Sequence, residues 1–117
     1  MQRLFGRVRK PSAFGPERAQ LAAAAGEAIL LDVREPDEWA AGRAPGAIHI
    51  PLGELSDRAH ELGPAALVVV VCRSGSRSRR AVDYLRSLGV ASENLDGGMK
   101  AWLRSGLPIE PPDGRVQ

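Results

Sequence analysis

The sequence predicts an α/β domain built on a parallel sheet with helices on both sides. Three observations carry that expectation. Helix-like and strand-like segments alternate along the chain, "ALVVVVC" (66–72) is apolar at every position, and glycine or proline marks almost every junction between segments. At 117 residues and 44% hydrophobic, the chain is long enough for one core and too short for two. Residues 15–110 are expected to form the domain, residues 1–14 a basic, partly disordered N-terminal segment and residues 111–117 a tail.

Taken in order, "PERAQLAAAAG" has Pro16 placed to start a helix and Gly26 to end it, and "AILLDV" follows as a strand. "EPDEWAAG" reads as a short helix ending at Gly42. The Pro45-Gly46 turn leads into "AIHI", a brief strand stopped by Pro51. "LGELSDRAHEL" is a further short helix closed by Gly63-Pro64. The valine run is expected to be the central strand, since neither of its faces carries a polar residue. Ala81, Val82, Leu85 and Leu88 then recur at helical spacing with charged residues between them, and that helix stops at Gly89. "ASENL" is a short strand. Gly97 and Gly98 open a last helix in which Met99, Trp102 and Leu103 share a face, ended by Gly106 and Pro108.

Ligands in such sheets collect at the carboxyl ends of the strands, and the only cysteine, Cys72, stands at the end of the central one. Its surroundings are basic. From Cys72 to Arg86 there are five arginines against one acid, whereas Glu17 to Glu61 carries nine acids against four arginines. One cysteine cannot form an internal disulfide, which favours a reducing compartment, the cytoplasm. The basic start "MQRLFGRVRK" is followed by no apolar stretch of signal-peptide length. With a net charge of +2, no RNA-binding motif and no membrane-spanning run, neither nucleic acid nor membrane is expected as a partner.

Between strand and helix lie only Cys72, Arg73, Ser74, Gly75, Ser76, Arg77 and Ser78. All but the two arginines are small, and Gly75 can take positive φ, so the backbone N–H groups can converge on one point. The next helix adds the partial positive charge of its N-terminus, making an anion cradle. The anion can be the cysteine itself. Lowering a thiol pKa of about 8.5 by two units takes ~2.7 kcal/mol. The helix dipole supplies ~0.3–1 kcal/mol, so amide hydrogen bonds to a charged acceptor, at ~1.5–3 kcal/mol each, must carry the rest. Neither His49 nor His60 is required as a base, no metal ligand set is evident, and no cofactor is expected. A lone cysteine is more commonly an inert core residue; its place before this loop argues for reactivity.

"LLDVREPDEWAAG", "PGAIHIPL", "LVVVV" with "CRSGSRS", and "LDGGMKAWLRSGLP" occur in an order that resembles the single-domain rhodanese-like sulfurtransferase family, over about Glu17 to Ile109. The resemblance implies a rhodanese-like fold, with a central parallel sheet of about five strands flanked by helices on both faces. It also implies a thiosulfate sulfurtransferase activity. In that reaction Cys72 takes a sulfane sulfur from a small donor, thiosulfate or a persulfide, holds it as a persulfide in the loop, and passes it to cyanide or an external thiol acceptor, which a protein could supply. With no second cysteine in the chain, that acceptor must come from outside.

Arg73, Ser74, Gly75, Ser76, Arg77 and Ser78 are the candidate substrate-binding residues, although the serines could equally ease the turn or cap the helix. The resemblance places Asp32, Arg34 and Glu38 near the site, where an Arg34–Glu38 ion pair is expected to support it. His49 matches the family's usual histidine and reads as structural, and Trp39 and Trp102 as core or semi-core residues. Two departures stand out: Arg43 and Ala44 replace the family's usual histidine and isoleucine, and "SAF" is all that represents its first strand. Two alternatives remain, a non-enzymatic docking or sulfur-relay module and a cysteine-dependent phosphatase or arsenate reductase. The phosphatases use C-x5-R, whereas Cys72 to Arg77 is C-x4-R, a smaller ring that suits one sulfur better than a phosphate.

Overall fold

A computed structural model describes residues 14–117. Its elements follow the predicted alternation. Helix α1 (Pro16–Ala24) leads to strand β1 (Ile29–Asp32), α2 (Pro36–Ala41) to β2 (Ile48–His49), and α3 (Leu55–Arg58) to β3 (Val68–Val71). Then follow α4 (Ser76–Ser87), β4 (Ser92–Asn94) and α5 (Gly98–Arg104). All strand pairs are parallel, in the order β2-β1-β3-β4. Four strands are therefore present among the described residues, against the five or so expected. Of the "SAF" segment only Phe14 is described, and its carbonyl accepts the Asp96 amide just beyond β4. The remainder of the basic N-terminal segment lies outside the described residues.

Strand β3 is an interior strand with all four valines at zero exposure, as an apolar run with no polar face requires. Its alternate residues feed two cores. Val68, Val70 and Cys72 join Leu31, Val33, Ile50, Leu55, Ala81 and Leu85 on the face covered by α3 and α4. Val69 and Val71 join Ala19, Leu30, Leu95, Met99 and Trp102 on the face covered by α1 and α5. Helices thus lie on both faces, and the period-2 alternation of the strand sends the cysteine toward α4.

Three expectations need correction. "LGELSDRAHEL" is not one helix. A 3-10 turn at Leu52–Glu54 precedes α3 and another at Ala59–Leu62 follows it, so the segment between Pro51 and Gly63 is broken into three short turns. Leu88 is 52% exposed, since α4 ends at Ser87 and Leu88 lies beyond its buried line of Ala81, Val82 and Leu85. Leu103 is 45% exposed, because α5 buries the line of Met99 and Trp102 and leaves the next position in solvent.

Residues 111–117 follow a definite course. Arg43 and Glu110 exchange backbone hydrogen bonds at 3.0 and 2.8 Å, the Ala41 carbonyl accepts the Arg115 amide at 2.8 Å, and Val116 packs against the core of α1 and α5. The segment is a strap across the end of α2. Arg43, one of the two unusual residues, is an anchor of that strap and also places its guanidinium 5.1 Å from the Trp39 ring centroid.

Candidate active site

The Cys72 thiol sits where β3 ends and its chain turns into α4, and it is 1% exposed. The turn is made by Gly75, whose φ of 121° lies in a region that side chains other than glycine's rarely enter. That turn brings the amide N–H of Gly75 to 3.1 Å and that of Ser78 to 3.4 Å from Sγ. The Ser78 hydroxyl lies 3.3 Å from the same sulfur. Burial, the largest single influence, pushes the thiol pKa up. The Ser78 hydroxyl and the amides of Ser78, Gly75 and Ser74 together outweigh it, so the net shift is downward. These are the convergent main-chain donors anticipated from the loop's composition.

Helix α5 backs the loop from the other side. The Met99 amide donates to the Cys72 carbonyl at 2.8 Å and the Lys100 amide to the Arg73 carbonyl at 3.1 Å. Such contact between a helix start and a loop backbone leaves no room at Gly98, where a Cβ would fall 2.4 Å from the Cys72 oxygen and 2.6 Å from the Arg73 carbonyl. Gly98 is a support of the site that sequence reasoning treated only as a helix start. Its signal was the doubled glycine of "LDGG".

Arg77 is not free to meet a substrate with its whole guanidinium. It forms a two-pronged ion pair with Glu38, Nη1 to Oε1 at 2.7 Å and Nη2 to Oε2 at 2.8 Å. Glu38 also completes a capping box at the start of α2, accepting the Glu35 amide at 2.9 Å. Its carboxyl is held at about 2, first by the hydrogen bonds from Arg77. The expected Arg34–Glu38 ion pair is therefore replaced by Arg77–Glu38. Arg34 instead turns back on Asp32, with Nη2 to Oδ2 at 2.7 Å and Nε to Oδ1 at 3.0 Å, and donates to the Gly42 carbonyl at 2.8 Å. Both residues are fully buried, and the close pair compensates each charge. Its carbonyl contacts His49 Nε2 at 2.7 Å, and His49 stacks on Trp39 with centroids 4.6 Å apart. His49, Trp39, Asp32 and Arg34 thus form the framework at the end of β1.

The remaining candidates fall on the rim. Arg73, Ser74 and Ser76 are exposed, and Arg73 Nε donates to the Gln117 carbonyl on the strap. Ser78 is fully buried and serves the sulfur directly. Asn94, at the end of β4, was not anticipated: its Oδ1 lies 2.5 Å from the Ser78 hydroxyl and its Nδ2 3.3 Å from the Gly75 carbonyl. No pattern in "ASENL" distinguishes it, since only β3–β4 pairing brings it to the loop. Among the described residues no group of three or more His, Cys, Asp or Glu is placed to hold a metal ion, and no helix is long and apolar enough to cross a membrane.

Known proteins share this sequence and fold. A sulfurtransferase of Allochromatium vinosum is 42% identical over 89 residues, covering 75% of this chain and 83% of its own. A rhodanese-related protein of Thermoplasma volcanium superposes with a TM-score of 0.77 at 29% identity, covering 85% of this chain and 97% of its own. A thiosulfate sulfurtransferase of Pseudomonas aeruginosa superposes at 0.78 with 28% identity; 86% of this chain matches 19% of that longer one. The family model for the rhodanese-like domain matches residues 16–105. The chain belongs to the rhodanese-like domain family.

Proposed function

We propose that this protein is a cytoplasmic sulfurtransferase in which Cys72 carries the sulfur as a persulfide. One observation carries the reading: Sγ lies at the focus of the Gly75 and Ser78 amides and the Ser78 hydroxyl, at the end of the central strand. Donors so arranged favour a thiolate, and a thiolate is the nucleophile that sulfur chemistry needs. In the first half-reaction the thiolate attacks the outer sulfur of thiosulfate. The Cys72 S–S bond forms, the donor's S–S bond breaks, and sulfite leaves with the electron pair. In the second, the thiolate of an external acceptor attacks the outer sulfur, takes it as its own persulfide and returns Cys72 to the thiolate. Cyanide can serve in the acceptor's place and leaves as thiocyanate.

A relay module with little turnover on small donors is the second reading. It is favoured by the 1% exposure of Cys72, which restricts approach of a donor from solvent. Mass spectrometry after incubation with thiosulfate separates the two. Gain of one sulfur atom on wild type, absent in Cys72→Ser, supports transfer from the small donor. No gain from thiosulfate, with gain from a persulfidated protein, supports the relay.

A further inference from the structure

The Ser78 hydroxyl has one proton and three neighbours able to receive it. Asn94 Oδ1 is nearest at 2.5 Å, the Gly75 carbonyl lies at 3.1 Å and the Cys72 sulfur at 3.3 Å. The Asn94 amide is itself oriented, because its Nδ2 donates to the Gly75 carbonyl at 3.3 Å and so turns Oδ1 toward Ser78. Whatever share of that proton Asn94 takes is lost to the sulfur, so the hydroxyl stabilises the thiolate less than it would with Asn94 absent.

We propose that Asn94 is a positioning residue that competes with Cys72 for the Ser78 proton and thereby sets how much of the thiol is ionised. The inference rests on Cys72 being the reacting thiol. Without Asn94, the Ser78 proton must choose between the Gly75 carbonyl and the sulfur. The ionised sulfur wins, because hydrogen bonds to charged acceptors are roughly twice as strong as those to neutral ones. The charged groups on the elements around the thiol are Arg77 of α4 with its partner Glu38 of α2, the buried Asp32–Arg34 pair at the end of β1, and Arg73 in the loop. Those elements also carry Arg79, Arg80, Asp83 and Arg86 on α4, Lys100 and Arg104 on α5, and Glu93 of β4 beside Arg86, with Asp96 just after β4. None is changed by substituting Asn94.

The test is the pH dependence of Cys72 alkylation by iodoacetamide, which reads thiol ionisation with no sulfur donor present. Asn94→Ala should lower the midpoint by about one pH unit, a tenfold gain in thiolate at a pH well below it. In a Ser78→Ala background the same substitution should do nothing, which a merely structural role for Asn94 would not produce. Asn94→Leu, which removes the acceptor while keeping the volume, should lower the midpoint likewise, and it stands as the test if Asn94→Ala does not fold. An unchanged or raised midpoint in the folded variant, or an equal shift without Ser78, overturns the inference. Should those midpoints move as expected while thiosulfate and persulfide both fail to load sulfur, the inference stands and the sulfur-transfer reading falls.

Discussion

Replacing Gly98 by alanine attacks the site from behind without touching the sulfur. The added Cβ would lie 2.4 Å from the Cys72 oxygen and 2.6 Å from the carbonyl carbon and oxygen of Arg73, all of them backbone atoms that no rotamer change can move. Gly98 also has a φ of 60°, and the left-handed conformation costs a non-glycine residue ~1–2 kcal/mol. Relieving the contact drives α5 off the loop and stretches two hydrogen bonds, Met99 to Cys72 and Lys100 to Arg73, each contributing ~0.5–1.5 kcal/mol. Together these give a loss of about 3 kcal/mol. With a urea m-value of about 2 kcal/mol per molar, the unfolding midpoint should fall by about 1.5 M. Sulfur loading should fall with it even at urea-free conditions where the variant is folded, because the displaced carbonyls belong to the nucleophile and its neighbour. A loss under about 1 kcal/mol, the ordinary effect of a point substitution, with loading intact, would refute the idea that α5 braces the loop.

Gly75→Val should reduce sulfur loading tenfold or more while shifting the urea midpoint by only about 1–2 kcal/mol equivalents, since its Cβ meets nothing nearer than 3.7 Å and the damage is to the φ of 121° that aims the amides. Parallel loss of fold and loading counts against this. Asp32→Asn removes the carboxylate paired with fully buried Arg34 and should cost about 3–5 kcal/mol in a urea melt; a neutral result would show that Arg34 is not held by that charge. The Glu38 carboxyl, held at about 2 in the folded protein against about 4.3 unfolded, contributes stability that is complete above pH ~5 and is lost as pH falls toward 2. Glu38→Gln should therefore cost about 1–2 kcal/mol at neutral pH, with the difference from wild type vanishing near pH 2; a pH-independent difference would contradict the assignment.

What was legible in the chain was whatever local chemistry decides. The four valines had to be an interior strand because no polar residue offered a wet face, and Gly75 had to turn because a loop this short allows no other course. The basic setting of Cys72 was readable for the same reason, since it depends on near neighbours in sequence, whereas Asp32 and Arg34 were placed near the site only by the family resemblance. Long-range choices were not legible. Arg34 had two acids within reach, and its own strand chose Asp32, two residues away and on the same buried turn, leaving Glu38 for Arg77, 39 positions distant. Asn94 reaches the loop only through the β3–β4 register, and the strap reaches Arg73 only after the chain has crossed the end of α2. Leu88 and Leu103 fit the helical period, but Leu88 falls just past the end of α4 and Leu103 beside the buried line of α5, a property of where packing ends and not of spacing.

The account stands most directly on the ionisation of Cys72, measured as thiolate absorbance against pH on the intact protein with Cys72→Ser as the blank. It predicts a midpoint below the ~8.5 of an unconstrained thiol, because the amides and the hydroxyl outweigh burial. A midpoint at or above that value would contradict it, since burial would then have won and the loop would be holding an inert thiol.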